Sequence, residues 1–499
     1  VLLLGLQALG KHYNMNRTMS MKHINIATLL AIVLWLALLP QISSAGWERA
    51  YGFPWAHDYG REVIQMRNKD YLIAGFTLTL SESQNDLYLV RTDSIGNLLW
   101  ERTYGGADDD FGYCTLPTED EEFFVVGETE SFGSGGSDGW LLKLTADGDT
   151  LWTKTYGTIE HDCFTSADLC QDGLILTGYT YSAVNYSNDV WVVKTNFSGD
   201  IIWTKEHGGY DDDICYSVKT TKDEEFILTG STNSSGVFLG EVYNLKLDSE
   251  GDTIWTRTFG GYINEEGYSV VQSTDSGFVI AGYTNSFGST SDNVLILKLN
   301  SDGDTMWYHS YGTPEHEIAY SISTTLDGGF VATGYIGNDI WLLKLNETGD
   351  TLWTRTFGGT GGEIAHCVRQ TSDGGFIIAG CTGSFTATGE VYLIKTDSLG
   401  NVDWIREPGM KPQNISLNVY PNPFNSSCQI TVDVGAFRET PLQIEIFDLR
   451  GNLVGALNLT PLQNGAAIWQ PDEEIGSGIY LVRATMGEKT VSKKIVYLR

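Results

Sequence analysis

Seven carboxylates recur at matched places along the chain: Asp58, Asp110, Asp162, Asp213, Glu265, Glu317 and Glu363. Each stands four residues before a small or core-type residue that opens an apolar run, so one repeat unit supplies one acid. Gathered at one mouth, such side chains would repel one another and would suit a hard divalent cation with oxygen ligands, Ca2+ being the expected ion. The competing expectation is that each acid accepts backbone N–H bonds from its own loop, and its once-per-repeat occurrence favours this. His57, His161 and His316 directly precede three of these acids. They make an awkward transition-metal set, because their repeats are not adjacent and zinc requires nitrogens at about 2.0–2.1 Å. Phe53, Trp55, Tyr181, Tyr186 and Phe238 break the repeat in its variable loops. Aromatics beside carboxylates and amides suit stacking on sugar rings or gripping a protein partner, or else pack between loops. No catalytic constellation rises above the repeat.

The elements that must position these residues are legible in the tryptophans. Trp47, Trp100, Trp152, Trp203, Trp255, Trp307, Trp353 and Trp404 follow one another at intervals of 46–53 residues. Between them runs one pattern, clearest at 256–307, in which Asp-Gly-type turns such as Asp275-Ser276-Gly277 and Ser301-Asp302-Gly303 separate apolar strand signals. Four strands per unit of about 50 residues is the length of a propeller blade. Strands a, b and c begin as complete sets near Glu62, Cys114, Ser166, Ser217, Ser269, Ser321 and Cys367. This predicts an all-β fold with a seven-bladed β-propeller over 46–407. The surplus strand d at 47–52 is expected to close the ring on the last blade and remove an open edge, with 402–406 adding to the edge or leading out. A basic residue stands in every strand c (Arg91, Lys143, Lys194, Lys246, Lys298, Lys344, Lys395), five residues after an acid or amide. A residue used once per blade is expected to build the blade. The strand c to strand d segments, such as LKLNSDGDTMW, resemble the tryptophan-docking repeat of quinoprotein-type propellers, which implies indoles packed against the neighbouring blade. Quinoprotein dehydrogenases resemble eight-bladed rings with a vicinal cysteine pair, and this chain has neither.

Composition sets the outer bounds. Gly is abundant at 57 residues and aromatics reach 12 %, which suits short strands and tight turns. The formal charge of −32 argues against nucleic acid or an anionic membrane as partner. Seven cysteines form no paired C-x-x-C spacing; Cys367 and Cys381 lie across one predicted hairpin and are the one candidate disulfide.

Both termini read as export signals. Lys22 and His23 precede an apolar run from Ile26 to Leu39, then Pro40 and Ser43-Ser44-Ala45, a signal-peptide pattern with cleavage before Gly46. Residues 1–45 are thus expected to be an extension plus leader, with a run shorter than the roughly 20 residues that span a bilayer. After a linker at 408–413, residues 414–499 show seven short alternating strands, the count of an immunoglobulin-like β-sandwich. Tyr420-Pro421-Asn422-Pro423-Phe424, Asp448-Leu449-Arg450-Gly451, Gly478-Ile479-Tyr480 and Lys493-Lys494-Ile495-Val496 closely resemble the type IX secretion C-terminal sorting domain (type A). The flagellar-hook-cap-type Ig module is the second resemblance. The first implies engagement of the type IX translocon through 414–499, passage through the periplasm, and an extracellular or surface-bound protein.

Short uniform a–b and c–d turns share one propeller face, and unequal b–c loops share the other, where recognition is expected. The leading functional reading is a binding, adhesion or scaffold module for an extracellular glycan or protein. The alternative is a secreted polysaccharide-active enzyme, a glycoside hydrolase or lyase, although no unique carboxylate pair is marked out.

Overall fold

A computed structural model of the chain describes residues 46–53, 56–79, 84–236, 239–288, 291–313, 315–385 and 389–402, and, nearer the C-terminus, 416–420, 428–433, 442–448, 450, 453–459, 466–471, 475–486 and 489–497. The expected leader, Trp55, Phe238, the linker and the tryptophan at 404 lie outside these residues. No helix among the described residues is long and apolar enough to cross a membrane.

Among the described residues, 46–396 form seven four-stranded antiparallel sheets in a propeller-like arrangement. Sheet 1 begins with Ala56–Gln65, sheet 2 with Asp110–Pro117, sheet 3 with Asp162–Cys170 and sheet 4 with Asp213–Thr220. Sheets 5, 6 and 7 begin with Glu265–Gln272, Glu317–Thr324 and Glu363–Gln370. In the first six, strands a to d pair in chain order. Sheet 7 takes its fourth strand from the other end of the chain: Trp47–Tyr51 pairs with Glu390–Thr396, Trp47 opposite Lys395. Gly46 is buried there, and a Cβ on it would lie 2.7 Å from the Lys395 carbonyl oxygen.

Strand b and strand c are apolar on both faces, as in Phe278–Thr284 and Asn293–Leu299, because each sheet packs between two neighbours. Strand d is half-exposed, and its tryptophan reaches the next sheet. Trp100 meets Gly148, Trp152 meets Gly199, Trp203 meets Gly251 and Trp255 meets Gly303, and the same contact joins the rest of the ring, ending with Trp47 on Gly96. These turn glycines have φ between +75° and +86°, a left-handed conformation that a side chain resists. An added Cβ would also meet the indole, at 2.9 Å for Gly303. The Trp203 and Trp255 indole N–H groups donate to the Ser249 and Ser301 carbonyls, each at 3.1 Å.

The basic column is structural in every sheet. Each side chain reaches the carboxylate of its own sheet's a–b turn, as in Lys298–Asp275 at 2.6 Å, Lys246–Glu225 at 2.7 Å and Arg91–Asp70 at 3.3 Å. A cation taken from water into this position needs the partner it has.

The described C-terminal strands, from Ser416–Tyr420 to Lys489–Tyr497, form a three-stranded and a four-stranded sheet. One core containing Ile430, Ile444, Trp469, Tyr480 and Ile495 draws on both. All seven cysteines are free and buried, so the pairing expected of Cys367 and Cys381 does not occur. The Cys367 thiol instead donates to the Val63 carbonyl, 3.7 Å away in sheet 1.

Gly303→Ala is expected to destabilise the ring by about 1–3 kcal/mol. Gly362→Ala, where an added Cβ meets nothing within 4 Å, should stay within about 0.5 kcal/mol of the parent. Denaturant unfolding of both variants checks this, and equal effects would contradict the docking role.

Candidate functional site in the central channel

The first strands line the middle of the ring, and every one of them carries a β-bulge. Register shifts between Gly60 and Glu62, Gly112 and Cys114, Phe164 and Ser166, and Cys215 and Ser217. It shifts again between Gly267 and Ser269, Ala319 and Ser321, and Ala365 and Cys367. A bulge inserts one residue without a ladder partner and re-aims its side chain. The inserted residues are Arg61, Tyr113, Thr165, Tyr216, Tyr268, Tyr320 and His366, and all seven line a central cavity of about 370 Å³.

The residue after each bulge ties its sheet to the next. Ser166, Ser217, Ser269 and Ser321 accept the backbone N–H of Val218, Val270, Ile322 and Val368 at 3.2–3.3 Å. Glu62 accepts from Thr115 N at 2.8 Å, and Cys114 donates to the Ala167 carbonyl at 3.5 Å. With Cys367 returning to Val63, the tie runs through all seven sheets and closes.

The bulged residues themselves are not uniform. Tyr216 and Tyr268, Tyr268 and Tyr320, and Tyr320 and His366 stand with ring centroids 5.0 Å apart. Arg61 Nη1 follows, 3.4 Å from His366 Nδ1. On the other side Tyr113 donates to Glu128 at 2.7 Å. Thr165 is turned to backbone, donating to the Cys215 carbonyl at 2.6 Å. Glu266, two residues before Tyr268, accepts from Tyr283 at 3.2 Å, and its charge also reaches the Tyr216 and Tyr268 phenols.

Burial, reinforced by Glu266, holds the Tyr216 and Tyr268 phenols well above their ordinary range. Tyr320 is pushed up to about 12, chiefly by burial. These hydroxyls are therefore protonated donors at physiological pH. Burial likewise raises the Cys114, Cys163 and Cys367 thiols, which disfavours thiolate nucleophiles in the channel. The arrangement offers flat aromatic faces, fixed hydroxyl donors and charged groups around one cavity, which is the equipment of a small-ligand site.

The structure places the seven repeated carboxylates elsewhere. Each is buried and takes a backbone N–H of its own loop. Asp58 accepts from Phe53, Asp110 from Gly106, Asp162 from Thr158 and Asp213 from Gly209, at 2.6–2.8 Å. Glu265, Glu317 and Glu363 accept from Gly261, Thr313 and Gly359 at 2.8–3.0 Å. Among the described residues, no three His, Cys, Asp or Glu side chains are grouped so as to hold a metal. The three histidines are also dispersed. His57 accepts from Gly389 N at 3.1 Å, His161 from Ser137 N at 3.3 Å, and His316 lies 2.8 Å from Asp292.

Of the loop aromatics, Phe53 packs on Tyr88 with centroids 5.5 Å apart, at the edge of the core shared by sheets 1 and 7. Tyr181 is half-buried, its backbone N–H bonded to His161. Tyr186 stands 80 % exposed. The channel residues were missed by the sequence reading although they had a signal. They form the column three residues after each carboxylate, where mostly large polar or aromatic side chains stand between mostly small neighbours.

The family model of the secretion system C-terminal sorting domain matches residues 418–498. That segment is a sorting domain, consistent with export by a type IX route and location outside the cell or at its surface. No curated protein matches the chain. Solved structures similar to it include the Neurospora crassa Pan2 WD40 domain, at 9 % identity and TM-score 0.46, covering 71 % of this chain and 96 % of that one. The β-propeller domain of the trilobed protease from Pyrococcus furiosus is similar at 9 % identity and TM-score 0.40, over 73 % of this chain and 99 % of that one. Prolyl oligopeptidase B from Galerina marginata is similar at 11 % identity and TM-score 0.40, over 81 % and 58 %.

Burial pushes Asp58 up to about 6 from 3.8, despite the Phe53 N–H. An acid raised on folding opposes stability once pH exceeds its unfolded value, so this contribution is lost between about pH 4 and 6 and stays lost above. Asp58→Asn, which can still accept the Phe53 N–H, should gain about 1–3 kcal/mol over the parent above pH 6 and nothing below pH 4. Unfolding measured across that range checks this, and a pH-independent difference would contradict it.

Proposed function

We propose that this chain is an exported seven-bladed β-propeller that binds a small ligand in its central channel, delivered by an Ig-like sorting domain that engages the type IX translocon. The single observation carrying the binding reading is the bulged column. A position repeated in all seven first strands holds Arg, Tyr, Thr and His rather than one residue type. Its side chains surround a cavity of about 370 Å³, within the size range of small-molecule sites. The ties between sheets are made by the next residue, so the guanidinium, phenols and imidazole of this column are not needed for those ties.

Export supports the same reading. A protein placed outside the cell meets extracellular glycans and small molecules, and a run of tilted, closely spaced phenol rings suits ring-shaped ones. The unequal b–c loops, with Tyr181 and Tyr186, then frame the approach to the channel and contribute to adhesion or selectivity.

Thermal-shift screening of the mature protein against small sugars and aromatic acids tests the reading. Tyr268→Ala should weaken the best ligand at least tenfold, about 1.4 kcal/mol, while Tyr186→Ala leaves it within about twofold. The reverse order would move the site to the loops.

A further inference from the structure

We propose that the channel takes a small organic anion, a carboxylate carried on a flat or pyranose ring, with the negative group seated against Arg61. The inference rests on the channel-binding reading above and names its ligand class. Although the whole chain carries −32, the cavity is lined by Arg61, Lys219 and Arg369 against Glu62 as its carboxylate. Arg369 is ion-paired to Glu62, and Lys219 lies 3.9 Å from Asp168.

Arg61 has no such counter-ion. Among the described residues it makes no ion pair. Its guanidinium lies 5.5 Å from the Phe76 ring centroid, and its Nε is buried without a hydrogen-bond partner. The facing His366 is half-buried on the cavity wall, and desolvation, then Arg61 itself, keeps the imidazole well below its ordinary range. It therefore presents a lone pair and no charge. A half-buried guanidinium so placed has no carboxylate against it among the described residues, and a charge partly withdrawn from water favours one. A ligand carboxylate supplies that partner in the fork geometry the guanidinium favours.

The neighbouring groups fit the rest of such a molecule. The Tyr320 phenol lies within the field of Arg61 and offers a hydroxyl donor, while Tyr113, whose O–H is given to Glu128, offers its ring and an acceptor oxygen. Tilted against each other with centroids 5.0 Å apart, Tyr268 and Tyr320 offer ring faces and edges. Size selects against polymers, since a polyanion would lie along a surface of like charge. A small anion inside the ring meets chiefly the charges within about 8–10 Å.

Two matched series test this by titration calorimetry on the full secreted chain: benzoate, benzyl alcohol and benzylamine, and glucuronate, glucose and glucosamine. The carboxylate of at least one series should bind tenfold or more tightly than its neutral and cationic relatives. Arg61→Gln should abolish that preference with the unfolding midpoint little changed, and Arg61→Lys should retain part of it. If Arg61→Gln does not fold, the loss in Arg61→Lys carries the comparison. Equal binding within both series, or preference for the ammonium, overturns the anion proposal and leaves channel binding standing. Failure of every probe to bind overturns both.

Discussion

A four-stranded sheet that is apolar on both faces cannot stand alone, and everything in this ring follows from covering those faces with a neighbour. The junction is made at both ends of each sheet. At the periphery a strand d indole lies on a left-handed turn glycine of the next sheet, as Trp255 does on Gly303. At the centre the residue after each bulge bonds to the next first strand, as Ser217 does to Val270. Because sheet 7 draws only three strands from 363–396, it is complete only when Trp47–Tyr51 joins Glu390–Thr396. Closure removes the open edge that would otherwise pair with other chains.

That constraint sorts the residues by freedom. Tryptophan, turn glycine, strand c base and loop carboxylate each have a partner fixed by the repeat, so their uniformity reports architecture. The bulged residue of each first strand has no ladder partner, and its neighbour already makes the tie. It is free to vary, and it points where seven sheets converge. Structure and the proposed ligand recognition are thus divided between adjacent residues of one strand, Ser321 holding the ring and Tyr320 facing the cavity.

Much of this was legible in the sequence. The tryptophan spacing and Asp-Gly turns announced the four-stranded unit, and the surplus Trp47 announced a closing strand. The once-per-blade logic gave Lys298 and its equivalents a structural role, though not their a–b turn partners such as Asp275. What escaped was the start of each first strand. The pattern placed it near Ser269, yet the strand begins at Glu265, because the bulge at Tyr268 interrupts the period-two alternation on which strand reading relies. Starting the strand late left Tyr268 at its very edge, where a bulge cannot be recognised, and the channel column went unseen. Phe53 misled for a different reason. Its loop looks exposed in one dimension, but the ring returns that loop to the core beside Tyr88. The local basic cavity was likewise hidden beneath a net charge of −32, since net charge averages over surface and interior alike.

The central claim is that ligand recognition lies inside the ring, at the bulged column. The most direct measurement is a crystal of the secreted protein soaked with 4-bromobenzoate and recorded at the bromine absorption edge. The account predicts an anomalous peak among Arg61, Tyr268 and Tyr320, with the carboxylate on the guanidinium. A peak among the b–c loops beside Tyr186, or an empty channel at saturating probe, would contradict it.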